Sequence, residues 1–347
     1  MPSSLATVAA RVEARLQEVL DAERARWSEL DPDIAAPLDA LERLVQSGGK
    51  RLRPAFCHWG YVAAGGDEDG AACVDAGAAF EMLQAFALVH DDVMDGSATR
   101  RGERTAHLEF ADRHVDEGWR GEDRRFGEGM AILIGDIAHV YADRLMTGVP
   151  ATAAAVWHEL RIELNVGQYL DLLGTARGDT DLEHARRIAR YKSGKYTIER
   201  PLHVGAAMAG DDGAAQPALS AYGDPLGEAF QLRDDLLGAF GDEARTGKPV
   251  GDDLREGKPT PLLAIATARA DARQAEVLAL VGSPELAPAD IEAIQSVYTA
   301  TGAVGEVERN IDDLTNSAIA AIGDAPVAPL ARSALIELAQ YVAWRDQ

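Results

Sequence analysis

The chain has 347 residues, with 34 basic against 57 acidic side chains and a formal net charge of −23. A field of that sign repels nucleic-acid phosphates and anionic lipid surfaces, so neither is expected as a partner. With 47% apolar and 26% charged residues, the chain has the composition to bury a large core rather than stay disordered.

Met1 to Val8 has no basic stretch ahead of its apolar residues, so no signal peptide is expected. The longest apolar stretch, Ala71 to His90, is interrupted by Asp75, Glu81 and Gln84 and reads as a helix buried in protein, not as a bilayer span. A cytoplasmic location without a membrane anchor follows, with Cys57 and Cys73 as buried, reduced thiols. Apolar residues recur at helical spacing almost throughout and alternating β-type runs are nearly absent, which predicts an all-α protein. Helices are expected at about 4–30, 34–47, 51–65, 71–95, 129–147, 151–174, 181–210, 215–240, 259–281, 288–302, 304–322 and 328–345. Breaks at Ser47-Gly48-Gly49, Gly65-Gly66, Gly210 to Gly213 and Gly282-Ser283-Pro284 are too short for interdomain linkers, so residues 1–347 are expected to form a single domain. Two segments read as loops. One is Asp112 to Glu128, charged and without helical period, with Arg120, Arg124 and Arg125 in solvent. The other is Gly241 to Lys258, glycine-rich behind an apolar helix, where a functional loop would sit.

One element occurs twice: an apolar helical run ending in Asp-Asp, at Asp91-Asp92 and at Asp234-Asp235. Asp91 and Asp95 are four residues apart and so share a helix face, where like charges repel and where acids near a helix C-terminus oppose its dipole. A bound cation removes both penalties, and carboxylate oxygens without cysteine are the hard ligands that Mg²⁺ takes together with substrate phosphates. Basic clusters in this acidic chain point to an anionic ligand. Lys50 and Arg53, in Gly48-Gly49-Lys50-Arg51-Leu52-Arg53-Pro54, are three apart at a helix start, and Thr99-Arg100-Arg101-Gly102-Glu103-Arg104 follows the first aspartates directly. A diphosphate is suited to both, being held bidentately by Arg and as a point charge by Lys.

Together, Gly48 to Pro54, Asp91 to Asp95 with Arg100-Arg101-Gly102, and Gln231 through Lys258 resemble the trans-isoprenyl diphosphate synthases of the polyprenyl synthetase family, in order and spacing over nearly the whole chain. The resemblance implies an all-α, isoprenoid-synthase-type helical bundle around a central cavity, usually a homodimer, dependent on Mg²⁺ with three ions per site. By similarity, Lys50, Arg53 and Arg101 hold the diphosphate of isopentenyl diphosphate, with Gln84 where the family has His or Gln. Asp91 and Asp95 bind two Mg²⁺, Arg100 adds charge, Asp234 anchors the third ion, and Asp92 and Asp235 support them. Lys192 of Tyr191-Lys192-Ser193-Gly194 matches the family's Lys-Thr position and faces the departing diphosphate, Ser193 keeping the hydroxyl. Gln168, Gln231, Lys248 and Lys258 complete a polar wall, as does Asp171, which is also counted among the metal-directed carboxylates. On periodicity alone, Gln168 and Asp171 read as exposed helix positions. Gly238 departs from the family, which often has a third aspartate there; Asp242, Asp252 and Asp253 in the following loop are expected to keep metal binding intact.

The implied reaction is head-to-tail (1'-4) condensation of isopentenyl diphosphate with allylic diphosphates of C5 to C15. The allylic C–O bond ionises against the cationic site, the alkene of isopentenyl diphosphate attacks, and a proton leaves to the released diphosphate. Phe86 and Ala87, five and four residues before Asp91, lie about one helical turn beneath the metals. In the family an aromatic there forms a tunnel floor, and the lack of an insertion between Asp92 and Asp95 resembles the geranylgeranyl-producing subgroup, so a C20 product is expected, with C15 next. Three other readings fit less. A terpene cyclase would not need the basic Gly-Gly-Lys-Arg-Leu-Arg-Pro segment. A metal phosphohydrolase built on His90-Asp91 with His58 and His139 leaves the second aspartate pair unused, and a non-catalytic subunit would not need the metal and phosphate residues.

Overall fold

The computed structural model describes residues 1–241, 251–283 and 285–344. Apart from a two-stranded hairpin its regular elements are helices, as expected, and among the described residues no helix is long and apolar enough to cross a membrane. The chain divides into two compact units, one comprising mainly Ser3–His58 and Glu68–Val149, the other mainly Trp59–Asp67 and Pro150–Gln347.

In the first unit, α1 (Ser3–Ser28) buries Leu5, Val8, Val12, Leu16, Val19 and Leu20, an apolar stripe at helical spacing. It is followed by α2 (Ala35–Gln46) and α3 (Leu52–Ala63), whose residues from Trp59 on belong to the second unit. Helix α4 (Val74–Asp95) is buried on every side from Ala76 to Leu83. It can be surrounded because its residues there are small or apolar except Glu81, which is paired with Arg51; fully burying one such Phe or Leu stabilises by roughly 1.5–3 kcal/mol. The helix stops at Gly96, whose φ of 68° is left-handed and whose N–H caps the Asp92 carbonyl. This end places Asp91, Asp92 and Asp95 in the final turn.

The segment Asp112 to Glu128, expected as a loop, is largely helical: α5 (Ala106–Asp116) and α6 (Asp123–Leu145) cover most of it. The period was masked by charge. His107, Phe110, Ala111 and His114 form the buried stripe of α5, while Asp112, Arg113 and Asp116 lie on the other face. Arg120, Arg124 and Arg125 are exposed as anticipated. Cys57 and Cys73 are free, buried thiols.

His58, also in this unit, is 6% exposed, and burial together with the charge of Arg11 pushes its pKa down to about 4. Between about pH 6.5 and 4 the unfolded chain therefore takes up a proton that the folded chain refuses, and stability is lost as the pH falls, by on the order of 3 kcal/mol over the whole window. His58→Gln is expected to flatten this limb: its urea midpoint should drop less than that of the parent between pH 6.5 and 4.5.

The second unit is built on α7 (Ala151–Arg177), α8 (Leu182–Ile188), a π-helix over Ala189–Glu199, α9 (Arg200–Met208) and α10 (Gln216–Phe240). The stretch expected as one helix at 181–210 is continuous but changes winding at Ala189. The short α11 (Asp252–Glu256) precedes α12 (Pro261–Arg269) and α13 (Ala272–Leu278); these last two were expected as one helix, and the Asp271 side chain caps a fresh start by accepting from Gln274 N–H. Helices α14 (Pro288–Ala300), α15 (Ala303–Gly323) and α16 (Pro329–Ala343) follow. Leu232 and Leu236 of α10 pack into one apolar cluster with Leu254, Leu262, Ile294, Tyr298 and Ile311.

Candidate functional site

The first unit gathers cations and carboxylates around the end of α4. Thr99–Arg100 and Glu103–Arg104 pair as antiparallel strands β1 and β2, joined by Arg101 and Gly102, both at positive φ (54° and 80°). That geometry matches a twisted two-residue hairpin turn. It was not foreseen, because two-residue strands leave no pattern. The turn carries Arg101 to the carbonyls of Gly48 and, at 3.3 Å, Leu44. Burial, and the surrounding cations Arg51, Arg100 and Arg53, pull the Arg101 guanidinium below its usual value against the opposing charge of Glu81. Cations held this closely repel one another, and an anion bound among them would relieve that repulsion.

Within Gly48 to Pro54 the structure separates two roles. Arg51, at φ 50°, is 4% exposed and points inward, where its guanidinium pairs with Glu81, with Glu13 at 3.1 Å, and with the Val45 carbonyl at 2.7 Å. It fixes the loop, while Lys50 and Arg53 remain partly exposed. Sequence reasoning did not single out Arg51; nothing in a basic run tells which guanidinium turns in.

Asp91 and Asp95 are half-buried and Asp92 is 4% exposed. Arg100 holds Asp92, its Nε and an Nη both donating to Oδ1 at 2.7 and 2.5 Å, and reaches Asp91 Oδ2 at 3.5 Å. Gln84, Phe86 and Ala87 line α4 upstream, each half-buried. The Phe86 ring stacks on His139 at 4.6 Å and meets His90 edge-on at 4.7 Å. His90 is in turn 3.0 Å from the Ile132 carbonyl, so His90 and His139 are packing partners of Phe86.

The second unit presents the other residues. Asp171, read as exposed from periodicity, is 5% exposed and bound to Lys192 Nζ at 2.5 Å; Gln168, one turn earlier on α7, is half-buried. The cause is Gly167: a Cβ there would lie 2.3 Å from the Lys192 backbone nitrogen, so α7 and the π-helix run in backbone contact along this face. The wider π turn carries Lys192 and Ser193, and π segments recur at functional sites. It is braced by a buried network. Glu163 accepts two bonds of 2.7 Å from Arg200 and lies 3.4 Å from Lys195, Lys195 is 3.1 Å from Glu199, and Ser220 donates to Glu199 at 2.8 Å. Glu163→Gln is expected to lower stability by on the order of 3 kcal/mol, since it strips Arg200 of a buried anionic partner. Turnover should fall with it as the π turn loosens; thermal midpoint and kcat together check this.

At the end of α10, Gln231 donates to Asp235 Oδ1 at 2.7 Å, and Asp235 is 6% exposed. Burial, with Asp253, Asp234 and Asp171 nearby, pushes the Asp235 carboxyl well above the ordinary carboxylate range despite Gln231. Asp234 is half-buried on the same turn. Lys258 reaches Glu256 at 2.5 Å and Asp253 at 3.8 Å. Lys248 and Asp242 lie outside the described residues.

The donor set suits Mg²⁺. Its oxygens are hard, and Asp235 Oδ2 is buried without a hydrogen-bond partner among the described residues. Among those residues no three acidic, histidine or cysteine side chains converge on one point. That fits an ion that takes one or two carboxylates and completes its shell with water and phosphate oxygens.

Residues 36–300 match the Polyprenyl synthetase family, and the chain belongs to it. It is 35% identical over 307 residues to a geranylgeranyl diphosphate synthase of Mycobacterium tuberculosis, covering 86% of this chain and 81% of that protein. Identity to the octaprenyl diphosphate synthase of Escherichia coli is 29% over 336 residues, 96% of this chain and 98% of that one. A solved geranylgeranyl pyrophosphate synthase of Corynebacterium glutamicum, complexed with isoprenyl diphosphate and magnesium, superposes with a TM-score of 0.93 at 39% identity, covering 98% of this chain and 99% of that chain. The protein is a prenyltransferase of a Mg²⁺-dependent family, a prenyl diphosphate synthase. The named products of its relatives run from geranylgeranyl to octaprenyl, so membership alone does not set chain length.

Proposed function

We propose that the protein condenses isopentenyl diphosphate head to tail (1'-4) with C5 to C15 allylic diphosphates to give an all-trans C20 product, geranylgeranyl diphosphate, and that residues 1–347 act as one functional domain. The observation that carries this reading is the duplication of one device. Helices α4 and α10 each end in an aspartate pair whose second member is buried and held by a side chain of its own unit, Asp92 by Arg100 and Asp235 by Gln231. The C20 assignment is supported by Phe86 five residues before Asp91 and by the geranylgeranyl-forming relatives.

Asp91, Asp95 and Asp234 would hold three Mg²⁺ ions, backed by Asp92, Asp235 and Asp171. Bound there, Mg²⁺ supplies positive charge that stabilises a departing diphosphate. The chain's own groups do the rest. Lys50, Arg53 and Arg101, with Gln84, seat the diphosphate of isopentenyl diphosphate and so orient its alkene. Arg100, Lys192, Lys248 and Lys258 add charge for the allylic diphosphate, and the Ser193 hydroxyl, Gln168 and Gln231 turn dipoles toward the developing allylic cation. Apolar residues upstream on α4 receive the tail and exclude water, and the proton lost after attack passes to the released diphosphate.

A cytoplasmic homodimer is the expected working form. Helix α6 exposes Ile132, Leu133 and Val140, and α7 exposes Ile162, Val166 and Tyr169, each set at helical spacing as on faces that bury a partner. Size measurement in solution tests the dimer. The activity is tested by incubating purified protein with Mg²⁺, isopentenyl diphosphate and, separately, C5, C10 and C15 allylic diphosphates, with diphosphate release and product mass as readouts. Mg²⁺-dependent linear C20 product is expected; cyclic hydrocarbon from an allylic substrate alone, or no turnover with any starter, overturns the reading.

A further inference from the structure

Arg51 and Arg101 are the two non-glycine residues of the described chain with positive φ, at 50° and 54°. A residue with a Cβ stays in that region only where its surroundings hold it. Arg51 donates from one Nη to Glu81 of α4 and from the other to the Val45 carbonyl at 2.7 Å, while its Nε reaches Glu13 of α1 at 3.1 Å. Arg101 donates to the Gly48 carbonyl and, at 3.3 Å, to that of Leu44. The two guanidiniums meet at Gly49: a Cβ there would lie 3.1 Å from an Arg51 Nη and 3.5 Å from an Arg101 Nη. Two cations thus share one short stretch of backbone, and Glu81, 7% exposed, is the buried carboxylate that faces them. It pairs with Arg51 directly, and at Arg101, where burial and the neighbouring cations act against the charge, Glu81 acts for it. Glu81 also lies three residues before Gln84 on α4, so the two share a helix face.

We propose that Glu81 is a positioning residue for the isopentenyl diphosphate subsite, acting through Arg51 to hold residues 48–54 so that Lys50, Arg53 and Arg101 stand in register with Gln84. The inference rests on the assignment of those four residues under the proposed function and deepens it. Glu81 touches no substrate in this role. Its carboxylate neutralises Arg51, so that this guanidinium ties the basic loop to α4 and does not compete with Lys50 and Arg53 for the diphosphate. Without that charge Arg51 would be one more cation beside Arg101, and like charges at such range repel. Its remaining acidic partner, Glu13, has a side chain 53% exposed, and an ion pair open to solvent is a weak tether. The left-handed backbone at Arg51 would then lose its main hold, and the loop its register.

The test is steady-state kinetics of the full-length protein with each substrate varied in turn, the fold being checked by circular dichroism and thermal midpoint. Glu81→Gln keeps the shape and removes the charge. It is expected to raise KM for isopentenyl diphosphate by about 10- to 100-fold, the range for weakening one hydrogen bond to a charged group. KM for the allylic diphosphate and kcat should stay within about two-fold, as for a loss of binding felt equally by ground and transition states. Arg51→Gln should give the same split, and the double variant should be no worse than either single one, because both substitutions break one route. The double variant buries no unpaired charge, so it carries the same test if Glu81→Gln alone does not fold. The proposal is overturned if KM for isopentenyl diphosphate is unchanged in the folded variants, if KM for both substrates rises together with a fall in kcat, or if the two substitutions add. A parent protein that makes no prenyl product from isopentenyl diphosphate instead fails the synthase reading, an outcome distinct from an active parent whose variants show no split.

Discussion

Asp91→Asn is expected to lower kcat of condensation by about 10²- to 10³-fold, the range for removing a group that stabilises charge only in the transition state. The same substitution should leave the thermal midpoint unchanged or raise it slightly. Asp91 lies in the last turn of α4, four residues before Asp95, where two like charges oppose each other and the helix dipole. Removing one relieves roughly 0.3–1 kcal/mol of repulsion at a half-buried helix end, offset in part by weakening the 3.5 Å approach of Arg100, and Asp92 keeps its two short bonds to Arg100, so the hairpin that carries Arg101 stays anchored. Loss of activity with gain of stability is the signature of a carboxylate placed for a ligand and not for the fold. A large drop in thermal midpoint with retained turnover would make Asp91 a structural residue and undo the metal assignment at α4.

Phe86→Ala should lengthen the product by at least about one C5 unit, read by mass after dephosphorylation. The ring lies about one turn of α4 beneath Asp91, and its orientation is set by the stack on His139 at 4.6 Å and the edge contact with His90 at 4.7 Å. A stop in a tunnel has to be rigid, and two flanking rings supply that rigidity. Truncation to alanine removes the whole ring and leaves its neighbours in place, so the growing chain gains depth with little disturbance of the metal end. Ala87→Phe should act in the opposite sense and shorten the product. An unchanged product distribution in Phe86→Ala would mean that the floor lies deeper along the chain's path and that Phe86 is core packing.

The helical elements were legible in the sequence because helix periodicity is local. An apolar residue every three or four positions, closed by Gly96, is written within a dozen residues, whereas the fresh start at Asp271 was missed because the apolar period runs across it. The two aspartate pairs and the basic runs were legible for a related reason, since such arrangements are unfavourable without a ligand. Local pattern failed where charge covered the signal, as on α5, and where two residues sufficed for a strand, as at Thr99–Arg100.

What only the tertiary structure decided depended on contacts between residues distant in the chain. Arg51 turned inward because Glu81 and Glu13 wait for it 30 and 38 residues away, which assigned the loop to Arg51 and the exposed cations to Lys50 and Arg53. Asp171 became buried because Gly167 lets α7 touch the π-helix, a closeness that no spacing of residues encodes. Sequence by itself determined which chemistry the chain carries, since residue type and local period specify charge and helix. Which member of each charged run is buried and which stays accessible was decided by packing, because burial is a property of surfaces that meet only after the chain has folded.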